Sequence, residues 1–216
     1  MRIALIHALS HSVAPINAVM AAQWPDAIRM NLLDDSLSAD LARAGQGLDA
    51  AMHQRFLDLS AYAVGTQVDG ILFTCSAFGP CIDAVKARYP HLPVFKPNEA
   101  MIMQAEAQTH EIGLIASFAG TLETMPSEFG AHTQLQTALV AEALDALNRG
   151  DVDAHDAAVL AAAQRLVQGG AKAIALAQFS MARAAPLVRQ HVGVPVFTTP
   201  ESAVHALKLA LGVPAA

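Results

Sequence analysis

Short apolar runs, separated by stretches long enough for helices, constrain the fold of this chain more than any other feature. The runs cover residues 2–6, 27–32, 70–74, 93–95, 111–116, 173–177 and 194–197. They lack polar alternation, which is typical of strands buried on both faces of a parallel sheet. Residues 132–139 alternate more strongly and predict either an edge strand or the start of a helix.

Between these runs, apolar residues recur at helical spacing. The pattern predicts one helix over 37–62 and another over 152–168, the second ending at Gly169 and Gly170. Alternation of strands and helices predicts βαβ units and an α/β fold with parallel sheets. Ligands of such folds lie beyond the carboxyl ends of the strands.

The second half of the chain repeats motifs of the first. GILFTCSAF and PVFKPNEAM are echoed by AIALAQFSM and PVFTTPESA, and Pro93 and Pro195 lie 102 positions apart. Any two βαβ units share some likeness, but a duplicated α/β half explains the register better. We therefore expect two similar lobes with a cleft between them. The first covers residues 1–96 with the C-terminal helix 200–216, and the second covers residues 97–199.

Composition limits the class of protein. The chain has 216 residues, of which 54% are hydrophobic and 15% charged, and a net charge of -6. It is too apolar for a disordered protein, and it lacks the basic runs that bind nucleic acid or anionic membranes. We see no apolar stretch of transmembrane length, and the N-terminus reads as a first strand rather than a signal peptide. With only two cysteines, we expect a reduced, cytoplasmic protein and no disulfide framework.

Cys75 is the residue best placed for chemistry. It follows the apolar run 70–74 and precedes a predicted helix, so it lies at the carboxyl end of a strand. Amide groups at a helix start are expected to lower the pKa of a thiol, and a thiolate can take a proton from carbon and return it. The alternative is a buried, inert cysteine, which is common. Cys81, on the following helix, is expected to serve packing.

The histidines do not predict a metal site. There are nine, but the sequence contains no HExxH motif and no pair of CxxC motifs. His7 and His11 come closest in spacing, and we expect them in a loop after the first strand. There, His7 or Ser10 could present a polar group to the substrate. Neither GxGxxG nor GxxxxGK[ST] occurs, so a nucleotide cofactor is not indicated.

The motifs TCSAFGPCIDAV, PVFKPNEAM and LAQFSMA resemble those of the aspartate/glutamate/hydantoin racemase superfamily. The resemblance spans nearly the whole chain. It implies a cofactor-independent enzyme of two Rossmann-like lobes related by pseudo-twofold symmetry, with the active site in the cleft. It also implies a homo-oligomer, for which we expect a dimer. Cys75 matches the first of two catalytic cysteines, and Gln178 stands where the second is usual.

The resemblance also implies which groups hold the substrate. Ser117 and Thr121 resemble hydroxyl residues that hold a carboxylate, although both could simply cap a helix. Backbone amides after the two strands would stabilise enolate-like charge. The residues expected to supply contacts after the strands are Ser76 and Ala77 after Cys75, and Phe179 and Ser180 after Gln178.

Three functions follow from this pattern. The family default is an amino-acid racemase or epimerase in which Cys75 moves a proton on a carbon next to a carboxylate or carbonyl. Because glutamine has no useful basicity, the second function is a one-thiol decarboxylase or isomerase, similar to arylmalonate decarboxylase or maleate isomerase. The third is a non-catalytic protein that binds a small molecule on the racemase scaffold.

Overall fold

The computed structural model describes residues 1–45 and 47–214, which form two compact units. Unit 1 comprises Met1–Pro97 and the C-terminal segment that begins at Ala203, and unit 2 comprises Asn98–Ser202. Each unit is an α/β domain with a four-stranded sheet. Within the described residues, no helix combines the length and apolarity needed to cross a membrane.

Unit 1 holds a fully parallel sheet in the order β2-β1-β3-β4. Its elements are β1 (Arg2–His7), α1 (Val13–Gln23), β2 (Ile28–Leu33), α2 (Ser36–Ala44), α3 (Ala50–Gly65), β3 (Gly70–Phe73), α4 (Gly79–Arg88) and β4 (Val94–Phe95). Short 3-10 helices follow β1 and β3, at Ser10–Ser12 and Ser76–Phe78.

Unit 2 repeats this topology with a parallel sheet in the order β6-β5-β7-β8. Its elements are α5 (Glu99–Glu106), β5 (Glu111–Ala116), α6 (Ala119–Thr124), β6 (Gln134–Leu139), α7 (Ala141–Asn148), α8 (Val152–Gln168), β7 (Ala173–Leu176), α9 (Ala185–His191), β8 (Val196–Thr198) and the start of α10 (Thr199–Ala210). A 3-10 helix at Phe179–Ala184 follows β7. The predicted α/β fold of two similar lobes is therefore confirmed.

The predicted helix over 37–62 was wrong, because the structure has two helices there. Gly45, at the end of α2, has a φ of 61°, in the left-handed region that ends helices. Asp49 then caps α3, and its side chain accepts a hydrogen bond from the Met52 amide at 2.8 Å. The helical spacing was real on both sides of this turn, so periodicity alone did not reveal the break.

Different packing supports the two sheets. In unit 1, Phe56 of α3 packs against Phe73 of β3 and Phe78, with ring centroids 5.4 Å and 4.9 Å apart. In unit 2, Gly113 of β5 lets α8 approach closely, since a Cβ there would lie 3.0 Å from Leu166. Phe56, Phe73 and Phe78 thus form an aromatic wall at the end of β3. In unit 2, a small residue instead allows close packing between sheet and helix.

Candidate active site

Cys75 lies two residues after the end of β3, at the carboxyl end of the unit 1 sheet. Its extended backbone (φ -124°, ψ 121°) begins the 3-10 helix Ser76–Phe78, and the side chain is partly exposed. The backbone amide of Ala77 donates a hydrogen bond to the sulfur. The Ser38 hydroxyl of α2 lies 4.0 Å from the sulfur. Two donors are therefore placed to stabilise the charged form of the thiol.

Burial nevertheless raises the pKa of the Cys75 thiol above its ordinary value, although Ala77 and Ser38 act in the opposite direction. The sequence-based expectation of a lowered pKa is corrected by this balance. Its physical cause is burial of the sulfur beside a small, largely apolar recess. The recess is lined by Ile6, His7, Ala8, Leu37, Phe56, Phe73 and Cys75. Low polarity disfavours a thiolate more than two hydrogen bonds favour it.

Cys81 occupies a different environment from Cys75. It is fully buried on α4, where burial, together with the charge of Asp49, raises the pKa of its thiol to about 11. An apolar site of this kind holds an inert thiol, as expected for a packing residue.

His7 was expected in a loop, but it is the last residue of β1 and is fully buried. Its Nδ1 lies 2.8 Å from the Thr74 hydroxyl, and its Nε2 lies 2.9 Å from the Asn31 carboxamide oxygen. Burial lowers the pKa of His7, although the hydrogen bond with Asn31 acts to raise it. The strand extends further than predicted because His7 continues the parallel pairing opposite Leu33. A direct contact between His7 and a substrate stays a prediction.

Helix α2 carries Ser38 and is held to α3 by charge. Arg55 of α3 donates to Asp34 at 2.6 Å and to Asp40 at 2.8 Å. Hydrogen bonds from Ser36 and Arg55 keep the pKa of Asp34 lowered, although burial acts to raise it. Sequence analysis did not identify Ser38, because it lies 37 positions from Cys75 and the contact depends on tertiary packing.

Gln178 lies two residues after the end of β7, at the equivalent place in unit 2. Its backbone is extended (φ -122°, ψ 149°), and it begins the 3-10 helix Phe179–Ala184. Its carboxamide oxygen accepts hydrogen bonds from the Ser117 amide at 2.8 Å and the Ser117 hydroxyl at 3.3 Å. Its carboxamide nitrogen donates to the Thr121 hydroxyl at 3.0 Å. Three residues selected from the sequence therefore form one hydrogen-bonded group.

The remaining sequence candidates occupy several positions. Ser76 and Ala77 are buried next to Cys75, and Phe179 and Ser180 are buried next to Gln178. Ser10 is exposed at the start of the 3-10 helix after β1, outside the lining of the recess at Cys75. Binding of a substrate by these residues stays a prediction.

The family model for Asp/Glu/hydantoin racemases matches residues 4–207. The chain belongs to this family. The resemblance inferred from the sequence motifs is thereby confirmed, and racemases are isomerases. No curated protein sequence matches the chain.

Solved structures share the fold of this family member at low sequence identity. Glutamate racemase from Thermus thermophilus, in complex with beta-chloro-D-alanine, is 18% identical with a TM-score of 0.73, covering 98% of this chain and 80% of its own. Allantoin racemase from Pseudomonas fluorescens is 17% identical with a TM-score of 0.68, covering 100% and 94%. Unliganded arylmalonate decarboxylase is 16% identical with a TM-score of 0.66, covering 97% and 92%.

Proposed function

We propose that this racemase-family protein transfers a proton at a carbon next to a carboxylate or carbonyl, with Cys75 as its acid and base. The observation that carries the proposal is the position of Cys75, a partly exposed residue at the carboxyl end of β3, beside an apolar recess. A thiol of raised pKa holds its proton firmly, and as a thiolate it is a strong base toward carbon. No cofactor takes part in this proposal.

The polar group around Gln178 would receive the oxygen next to the reacting carbon. Removal of a proton from that carbon places negative charge on this oxygen, and hydrogen-bond donors stabilise such charge. The donors would come from Gln178 and from the backbone of Phe179 and Ser180. Ser117 and Thr121 would hold the Gln178 carboxamide in place, and Ser76 and Ala77 would contribute contacts next to Cys75. The proposal requires that the Cys75 thiol and the polar group around Gln178 contact the same substrate molecule.

The hydrogen bonds of Gln178 favour a one-thiol reaction over a two-thiol racemisation. Inversion at carbon requires a base on one face and an acid on the other, and a carboxamide supplies neither. A single thiol delivers its proton to one face. This chemistry fits a decarboxylase or an isomerase, in which Cys75 protonates an enolate after another bond has broken.

Exchange of the α-hydrogen with solvent deuterium tests the proposal. Candidate amino acids, hydantoins and substituted malonates are incubated with the protein in D2O and followed by NMR. We expect exchange or decarboxylation that Cys75→Ala lowers by about 10²- to 10⁴-fold, the usual contribution of an acid-base group. Cys81→Ala is the matched control, because it removes the other thiol and should leave turnover unchanged.

Each outcome separates the candidate functions. Exchange without inversion supports one-sided proton transfer by Cys75, whereas exchange with inversion means that a second group replaces the missing thiol. Binding of a ligand with no exchange favours the non-catalytic alternative. A fully active Cys75→Ala protein would refute the mechanism. A dimeric state and a cytoplasmic location stay predictions.

A further inference from the structure

The carboxamide of Gln178 has nearly all of its hydrogen-bonding capacity occupied within unit 2. Its oxygen has two lone pairs, and it accepts from the amide and the hydroxyl of Ser117. Its nitrogen has two N–H groups, and one donates to Thr121. One N–H of Gln178 is therefore left after these three bonds, and the side chain is partly exposed.

The polar groups that bond to Gln178 form a cradle suited to a carboxylate. We define the cradle as the Ser117 amide, the Ser117 hydroxyl and the Thr121 hydroxyl. A carboxamide has the planar shape of a carboxylate, with two polar atoms on one carbon. A carboxylate in its place would accept from the amide and the hydroxyl of Ser117, as the Gln178 oxygen does. Gln178 thus stands where such a group would bind.

We infer that Gln178 is a built-in occupant that closes this cradle to free carboxylates and presents one N–H to the substrate. Ser117 is 3% exposed and Thr121 is 1% exposed, and Gln178 bonds to both of these buried residues. Gln178 is tethered at the end of β7 and competes at a high effective concentration. Gln178 is then the residue that touches substrate, and Ser117 and Thr121 are positioning residues.

This inference narrows the substrate class, and it rests on the proposed function for that step. A single N–H suits an oxygen that needs one donor, such as the carbonyl of an imide, amide, ester or ketone. A carboxylate bound by unit 2 would have to displace the carboxamide from the cradle. Unit 2 therefore selects a substrate that presents a neutral carbonyl beside the reacting carbon.

Titration of the ¹⁵N-labelled protein with acetate tests whether Gln178 closes the cradle. The amide signal of Ser117 reports whether the cradle is occupied, because this N–H donates to the Gln178 oxygen in wild type. In wild type, acetate should leave this signal unmoved. In Gln178→Ala the cradle is open, and acetate should bind at least about tenfold more tightly, which corresponds to about 1.4 kcal/mol. Gln178→Glu is the matched control, since its own carboxylate should fill the cradle and exclude acetate.

Two results would overturn the inference. One is an equal response of Ser117 to acetate in wild type and in Gln178→Ala, and the other is no response in any variant. Gln178→Asn, whose side chain is one methylene too short for the same bonds, provides a second open cradle if the alanine variant folds poorly. Acetate binding requires no proton transfer, so its outcome is independent of the Cys75→Ala exchange experiment.

Discussion

The ends of β3 and β7 share a backbone course but offer opposite environments. Cys75 and Gln178 each follow the third strand of their unit, with extended backbones that begin a 3-10 helix. The thiol of Cys75 borders a largely apolar recess, and burial raises its pKa. The carboxamide of Gln178 lies in a polar cradle with three hydrogen bonds. The two units share one sheet topology, whereas the chemistry at these two strand ends differs.

This difference suggests a division of labour within the proposed reaction. A group that removes a proton from carbon must be basic, and burial makes the Cys75 thiolate more basic by destabilising its charged form. A group that holds an oxygen needs fixed donors that require no rearrangement as charge develops. Unit 1 provides the first environment and unit 2 the second. In the proposed reaction, the two units would therefore meet different requirements of one-sided proton transfer.

The largest effect that sharpens this comparison should come from the aromatic wall behind Cys75. Phe56→Ala removes a buried ring that packs on Phe73 and Phe78, so we expect a loss of about 3–5 kcal/mol in the free energy of unfolding. Urea denaturation of wild type and variant measures this loss. Tyr62→Ala, on the same helix but 63% exposed, is the control and should change stability by less than about 0.5 kcal/mol.

The same variant also bears on the environment of the thiol. Phe56 lines the recess, so its removal admits water, and the pKa of Cys75 should fall toward its ordinary value. A thiol titration in a Cys81→Ala background reads this change. If the pKa of Cys75 is unchanged when the ring is gone, the aromatic wall is not what distinguishes the two strand ends.

Much of this architecture was predictable from local pattern. Unbroken apolar runs identified the strands, including 70–74 before Cys75, because buried parallel strands tolerate few polar residues. The more alternating stretch at 132–139 became the edge strand β6, which pairs only with β5 among the described strands. The repeat of the motif around Cys75 in that around Gln178 predicted the duplicated topology. These features depend on sequence neighbours, and so a single sequence reveals them.

The polarity around each strand end was not predictable in the same way. The pKa of Cys75 depends on Leu37 and Phe56, which come from two other helices, and the split between those helices was missed. The bonds of Gln178 to Ser117 and Thr121 join residues about 60 positions apart. Sequence analysis selected all three, but it did not reveal that they bind one another. Such contacts depend on tertiary packing, which periodicity does not encode.

An intermediate effect concerns the pH dependence of the proposed thiolate step. Because the pKa of Cys75 is raised, the fraction of thiolate should increase with pH beyond the ordinary thiol value of about 9.0. The rate of proton abstraction should rise about tenfold per pH unit until that raised pKa is reached. Ser38→Ala removes a donor to the thiolate and should move the alkaline limb to higher pH. A rate that stops rising below pH 9.0 would contradict a raised pKa of Cys75.

The smallest effect concerns stability in acid, and it again separates the two units. His7 ends β1 with a lowered pKa, whereas the last residue of the matching strand β5 is Ala116, which does not titrate. Below about pH 6.5 the unfolded chain binds a proton at His7 that the folded chain resists, so stability should fall as the pH drops, by at most about 1.4 kcal/mol per unit. His7→Gln removes this proton and should flatten the pH dependence measured by urea denaturation. If the dependence of stability on pH is unchanged in His7→Gln, then His7 binds its proton as readily in the folded protein as in the unfolded chain.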